Sequence, residues 1–228
     1  MKKTLLLTFL LALGLILIPG VANADQTYSM YFVSGDGNSS FGEYVYPYYL
    51  QVDGGPTVSM LCDTLNRTIN NGDSWPAYRL LLADLNDQNV QTLFYGVNGL
   101  GHGNATAEDY LAVGYLYYEE MQAFNNGNTD PLGLYNWAAW YMFDPGDVAA
   151  KLDATTLAQV QGMMSDAVND VKGKNPADMD FAHTMYVYTP VDGSGQEFFG
   201  PVPEPGTLLM MGTGIVGLAG LLRRKLQA

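Results

Sequence analysis

Two uncharged apolar runs, one at each end of the chain, decide which residues are left to build a fold. At the start, Met1-Lys2-Lys3 is followed by the apolar stretch Thr4 to Ile18, the breaker Pro19-Gly20, and Ala22-Asn23-Ala24. A short positive region, an apolar run and small residues at two alternate positions make a secretory signal peptide over residues 1–24. Signal peptidase would read Ala22 and Ala24 and cut after Ala24. At the other end, Thr207 to Leu222 holds 16 residues without a charge, then Arg223-Arg224-Lys225. As a helix this run is roughly 24 Å long, against roughly 30 Å of bilayer hydrocarbon. It reads as a thin transmembrane helix, 207–222, whose cations stay cytoplasmic and leave the rest of the chain outside. Gly212-Thr213-Gly214-Ile215-Val216-Gly217 inside it fits a dinucleotide-binding glycine pattern. That pattern needs a preceding strand and a βαβ unit, and within a span such glycines serve helix packing.

Residues 25–200 remain as one extracytoplasmic domain of ordinary size. Five basic and 22 acidic residues between positions 25 and 202 give that region a net charge of −17. So acidic a surface repels phosphate backbones, and no nucleic-acid partner is expected. The one cysteine, Cys62, excludes a disulfide framework within the chain. Its ordinary role is a small buried hydrophobe; its chemical roles are a nucleophile, an intermolecular disulfide or an internal thioester.

The order of local patterns predicts an α+β domain with N- and C-terminal β-strands around a central helical region, between the signal helix and the C-terminal transmembrane helix. Apolar stretches at 28–33, 44–52 and 57–61, separated by Gly- and Asp-rich turns, predict strands, with Cys62 at the end of the third. A strand or short helix follows through Leu82. Thr106 with Asp109 resembles a capping box opening a helix over 110–124. Asp130 is expected as the next N-cap with Pro131 at the first helical position, before a helix over 134–143 that is apolar on every side and therefore buried. Asp144-Pro145-Gly146 ends it. A third helix is expected over 155–171, and strands return at 184–189 and 196–199.

Pro203-Glu204-Pro205, the short Gly-rich span and the terminal Arg223-Arg224-Lys225 resemble the sorting tail of PEP-CTERM proteins, over residues 201–228. The resemblance implies recognition by an exosortase-type transpeptidase, transient residence in the membrane, removal of the span, and release to the cell surface or extracellular matrix. Sorting would pass through an inner-membrane intermediate.

A second resemblance covers the domain. Met60-Leu61-Cys62-Asp63 at a strand end, Asn70 to Trp75, and Tyr135-Asn136-Trp137-Ala138-Ala139-Trp140 resemble the thioester-domain surface proteins. In these a strand-ending Cys bonds to a Gln within a buried aromatic helix. Here Asn136 stands at the expected Gln position, one methylene shorter. Two readings follow: a fold kept without the bond, or a Cys62–Asn136 linkage. Either implies an adhesion or matrix role without catalysis, toward a surface or matrix ligand that the sequence does not name. The alternative is an exported Cys-dependent hydrolase pairing Cys62 with His102 or His183, since a cysteine nucleophile needs a base. The two histidines do not make a transition-metal site, and Asp144 with Asp147 or Asp178 with Asp180 suit caps and turns. No metal or cofactor is expected. Glu119-Glu120 reads as a solvated helix face.

Overall fold

A computed structural model describes residues 26–35, 37–85, 92–94, 105–193 and 195–201. The expected signal peptide, the expected sorting tail from Val202 onward with its expected span at 207–222, and His102 lie outside these residues. Among the described residues no helix is long and apolar enough to cross a membrane.

Six antiparallel strands close into a barrel in the order β1 (Thr27–Gly35), β4 (Tyr48–Val52), β5 (Val58–Cys62), β8 (Phe198–Pro201), β7 (Met185–Pro190) and β6 (Ser74–Leu81), with β6 returning to β1. Closure leaves no strand edge, the usual liability of a sheet. A small hairpin, β2 (Ser39–Ser40) and β3 (Glu43–Tyr44), projects between β1 and β4. Side chains alternate across each strand. One set, Met30, Phe32, Tyr48, Leu50, Met60, Cys62, Trp75, Ala77, Tyr188 and Phe198, meets in a single buried cluster. The intervening set, including Leu61, Val187 and Phe199, belongs to the larger core shared with the helices. Gly200 continues the inward register of Phe198, and a Cβ there would lie 2.8 Å from Met60. The missing side chain is what admits Met60.

Four helices form one block: α1 (Ala107–Asn125), α2 (Leu132–Phe143), α3 (Pro145–Lys151) and α4 (Ala154–Val171). The expected α+β organisation and its strand–helix–strand order hold, while closure of the strands into a barrel was not foreseen. The capping box is formed: Thr106 Oγ1 accepts from the Asp109 N–H at 3.2 Å, and Asp109 Oδ2 accepts from the Thr106 N–H at 2.7 Å.

Several local expectations need correction. Asp130 does not cap α2; the chain turns through Thr129–Pro131, and Pro131 itself takes the cap position with Leu132 first in the helix. The stretch 44–52 is not one strand, because Pro47 has no N–H to offer a ladder and the run divides into β3 and β4. Asp144-Pro145 ends α2 and also starts α3, since proline is well suited to a first helical turn. Asp153 then caps α4 by accepting from the Thr155 and Thr156 N–H groups, both at 2.9 Å. His183 lies in a 3₁₀ turn, Asp180–Thr184, ahead of β7. Glu120 is not solvated. It is fully buried on the core side of α1 and neither carboxyl oxygen has a hydrogen-bond partner, whereas Glu119 stays partly exposed. Burial pushes its carboxyl well above the ordinary range, so Glu120 is neutral in the folded protein.

Candidate functional site

The site is built where β5 ends and β8 begins. The ladder pairs Leu61 with Phe199 and Cys62 with Phe198. It continues one step further, with the Asp63 N–H donating to Glu197 O at 3.4 Å. Antiparallel alternation then puts Cys62 and Gln196 on one face and Asp63 and Glu197 on the other. Two strand ends thus deliver two pairs of polar side chains from positions 134 residues apart.

On the first face, the Cys62 thiol lies 3.3 Å from Gln196 Oε1 and 3.4 Å from Thr64 O, and it accepts from the Thr64 N–H at 3.4 Å. Gln196 Nε2 donates to the carbonyl of Arg67. Both side chains are buried, Cys62 completely and Gln196 with 5 % of its surface exposed. Burial holds the Cys62 thiol far above its ordinary range, and the neighbouring Asp63 adds to this. The Thr64 N–H and the Trp140 indole N–H act in the opposite direction. The thiol is therefore neutral at physiological pH.

On the second face, Glu197 is held from four sides. Tyr110 O–H donates to Oε1 at 2.6 Å and the Leu93 N–H to Oε2 at 3.0 Å; the Thr189 hydroxyl also reaches Oε2. Its backbone N–H donates to Thr64 Oγ1 at 3.2 Å, and Thr64 Oγ1 in turn donates to Asp63 Oδ1 at 3.0 Å. Burial and the facing Glu197 push Asp63 well above the carboxylate range. Burial raises Glu197 as well, so the two groups share a proton, which lets two adjacent buried carboxyls coexist.

Asn136 comes to the site, but not as the sequence suggests. Its Nδ2 donates to the backbone carbonyl of Cys62 at 3.0 Å, and its Oδ1 accepts from the Tyr46 N–H at 2.8 Å. Both ends of the amide are engaged in a clamp between α2, the end of β5 and the segment before β4. The carboxamide beside the sulfur belongs to Gln196, which sequence reasoning placed only as the start of a strand. The pairing was hidden because it depends on the register of β5 against β8, which nothing local encodes.

Above the thiol opens a cleft of about 560 Å³ whose lining includes Glu43, Tyr44, Thr64, Arg67, Trp140 and Gln196. Glu43 is ion-paired with Lys151 at 2.5 Å. Gln196 and Trp140 are among its buried lining residues, while Cys62 is fully buried and does not line it. His183 does not line this cleft; its ring meets Ala177 O at 2.9 Å. No group of His, Cys, Asp and Glu among the described residues is arranged to hold a metal ion.

The last strand, β8, ends at Pro201, where the tail begins. Residues 201–225 match the PEP-CTERM protein-sorting motif. The chain carries that sorting signal. It contains Pro203, Glu204, Pro205, Arg223, Arg224 and Lys225, and it implies recognition by an exosortase in a membrane-linked step. No curated protein sequence matches this chain. Solved structures similar to it include the N-terminal thioester domain of the fibronectin-binding protein SfbI from Streptococcus pyogenes, at 9% identity over 82% of this chain and 100% of that chain, with a TM-score of 0.45. Another is the N-terminal domain of the Streptococcus pyogenes pilus tip adhesin Cpa, at 15% identity over 82% of this chain and 98% of that chain, with a TM-score of 0.43. A third is the N-terminal thioester domain of a surface protein from Clostridium perfringens, at 14% identity over 77% of this chain and 98% of that chain, with a TM-score of 0.39.

Proposed function

We propose that this is an exported surface or matrix protein that attaches covalently to its surroundings through an internal Cys62–Gln196 thioester. The observation that carries the reading is the buried contact between the Cys62 thiol and the Gln196 carboxamide, 3.3 Å apart beneath an open cleft. In forming the bond, Sγ attacks Cδ of Gln196. The C–S bond forms as the C–Nε2 bond breaks, and the thiol proton leaves with the nitrogen as ammonia. Nε2 already points to the Arg67 carbonyl at the cleft, which is the direction a departing ammonia needs. An amine entering through the cleft reverses the geometry: its nitrogen bonds to Cδ, the C–S bond breaks, and its proton returns to Sγ. The product is an amide link and a free thiol, with one event per molecule and no turnover.

Burial supports this chemistry in two ways. It keeps water from the acyl carbon, and it keeps the thiol neutral, which disfavours the alternative of a thiolate-based hydrolase. Export through the 1–24 signal peptide and processing of the 201–228 tail would deliver the domain to the surface, where acceptor amines are available. Adhesion or matrix association is the resulting role, and the acceptor's identity stays with the partner.

The test is the intact mass of the domain purified under non-reducing conditions. The wild type should be lighter than its sequence by one ammonia, and methylamine should add one methylamine, leaving the protein one CH2 heavier than its sequence. Cys62→Ala and Gln196→Ala should both abolish the deficit. A full-mass wild type with a titratable thiol in the unfolded chain would sink the proposal.

A further inference from the structure

We infer that the indole N–H of Trp140 is the donor that stabilises the oxyanion formed at Gln196 when the thioester is made and when it is opened; this rests on the Cys62–Gln196 reading above. Among the described residues, the indole N–H groups of Trp75 and Trp140 and the hydroxyls of Thr92 and Tyr188 are buried without a hydrogen bond of ordinary geometry; the Trp140 N–H faces the Cys62 sulfur. A buried donor left unpaired is costly, and each such case calls for a reason. Of these four, only Trp140 lines the cleft together with Gln196. Its neighbour Trp137 differs, since its N–H donates to Ser40 Oγ at 3.2 Å.

Trp140 is also rigidly placed. It is 2 % exposed, and its ring packs edge-on against Trp137 with 4.9 Å between centroids. One turn earlier on the same helix, the Asn136 side chain is bonded to the Cys62 carbonyl. Helix α2 therefore carries both the clamp that fixes the Cys62 backbone and the donor that faces the reacting groups. Residues four apart lie on one helical face, which is why one helix can do both.

Attack on Cδ turns the acyl oxygen into an alkoxide in a site from which water is excluded. A fixed donor is worth most there, because it need not reorganise and little solvent screens it. In the resting structure the Gln196 oxygen lies against the Cys62 sulfur. It needs a donor only once the carbon becomes tetrahedral and the charge develops. The same donor serves both directions, because thioester formation and aminolysis pass through related tetrahedral species. The electron pair pushed onto the oxygen returns to the carbon when nitrogen or sulfur leaves, so the indole lends a hydrogen bond and no proton.

The experiment uses a replacement of Trp140 that keeps shape and removes only the N–H: site-specific incorporation of benzothienylalanine, alongside Trp140→Phe. The readout is the rate of methylamine opening, followed as the mass change of the purified domain. Loss of one such donor slows acyl chemistry by roughly 10²-fold, and that is the expected drop for both replacements. The same isostere at Trp137, whose N–H is already committed to Ser40, should leave the rate unchanged. Opening of the Trp140 isostere within twofold of the wild-type rate overturns the assignment and leaves the thioester standing. A wild-type domain with no ammonia deficit overturns the thioester and this role with it.

Discussion

Replacing Asn136 with alanine separates the clamp from the acyl donor. The side chain satisfies two backbone groups, the Cys62 carbonyl at 3.0 Å and the Tyr46 N–H at 2.8 Å, and Asn136 is fully buried. Alanine leaves both groups buried and unpaired, at about 1–3 kcal/mol each, or roughly 2–6 kcal/mol together. In a domain of this size one kcal/mol corresponds to about 2–4 °C, so the melting temperature should fall by roughly 5–20 °C. The comparison is made in a Cys62→Ala background, where no cross-link can form and stability reports the clamp alone. Urea unfolding gives the same quantity through the midpoint, with a slope of about 1–3 kcal/mol/M. A loss below about 1 kcal/mol would mean that the two bonds do not hold the site. The second arm keeps Cys62 and asks for the mass. Folded Asn136→Ala should still be one ammonia light, because Gln196 supplies the acyl group. A deficit that disappears in Asn136→Ala but survives in Gln196→Ala would restore the Cys62–Asn136 linkage and refute the present assignment.

Other outcomes follow from single features. Glu120 holds a proton in the folded state that the unfolded chain gives up above about pH 4.3, so it costs stability increasingly as pH rises from there toward its raised folded value. Glu120→Gln should therefore gain stability at pH 8 relative to pH 4 in urea unfolding, and an equal change at both pH values would contradict a buried neutral carboxyl. Asp63 and Glu197 are raised in the same sense, so part of the slope will remain in the variant. Gly200→Ala places a Cβ 2.8 Å from Met60 and should cost about 1–3 kcal/mol as overpacking; trimming Met60 to alanine in the same protein should recover part of it, as a double-mutant cycle would show. The mature protein recovered from the cell surface should lack Leu222 and Arg223 by mass, and their retention would show that the tail is an anchor.

The elements were legible where local chemistry decides them. Thr106 and Asp109 announced α1, the unbroken apolar run around Trp137 announced a buried α2, and the Gly- and Asp-rich turns separated the early strands. Errors gathered at Asp130 and Pro47, where one residue type serves two local structures and the neighbours choose between them; Pro145 ends α2 as expected, and the short helix it starts was not foreseen. Glu120 was misread because adjacency to Glu119 suggested solvent, while the tertiary position of that face is set by how α1 meets the barrel. The site was half visible. Cys62 and the Trp-rich helix stood out, and α2 does reach Cys62. Gln196 did not stand out, since its meaning comes only from lying opposite Thr64 in a strand pair that closes a barrel.

That same strand pair has a mechanical consequence. The sorting tail leaves the domain directly from β8, so tension between a tethered C-terminus and a captured acceptor enters the fold at Phe198–Pro201. At most five residues along, it meets Gln196, where both the internal cross-link and the acceptor's amide would form. While such a thioester is intact, load would pass from β8 straight into β5 across a covalent bond. Once an acceptor had opened it, the force would run from the acceptor through Gln196 into the tail and bypass most of the domain. The attachment would then be as strong as the short stretch of main chain from Gln196 to Pro201, and unfolding of the barrel or helices would not release it.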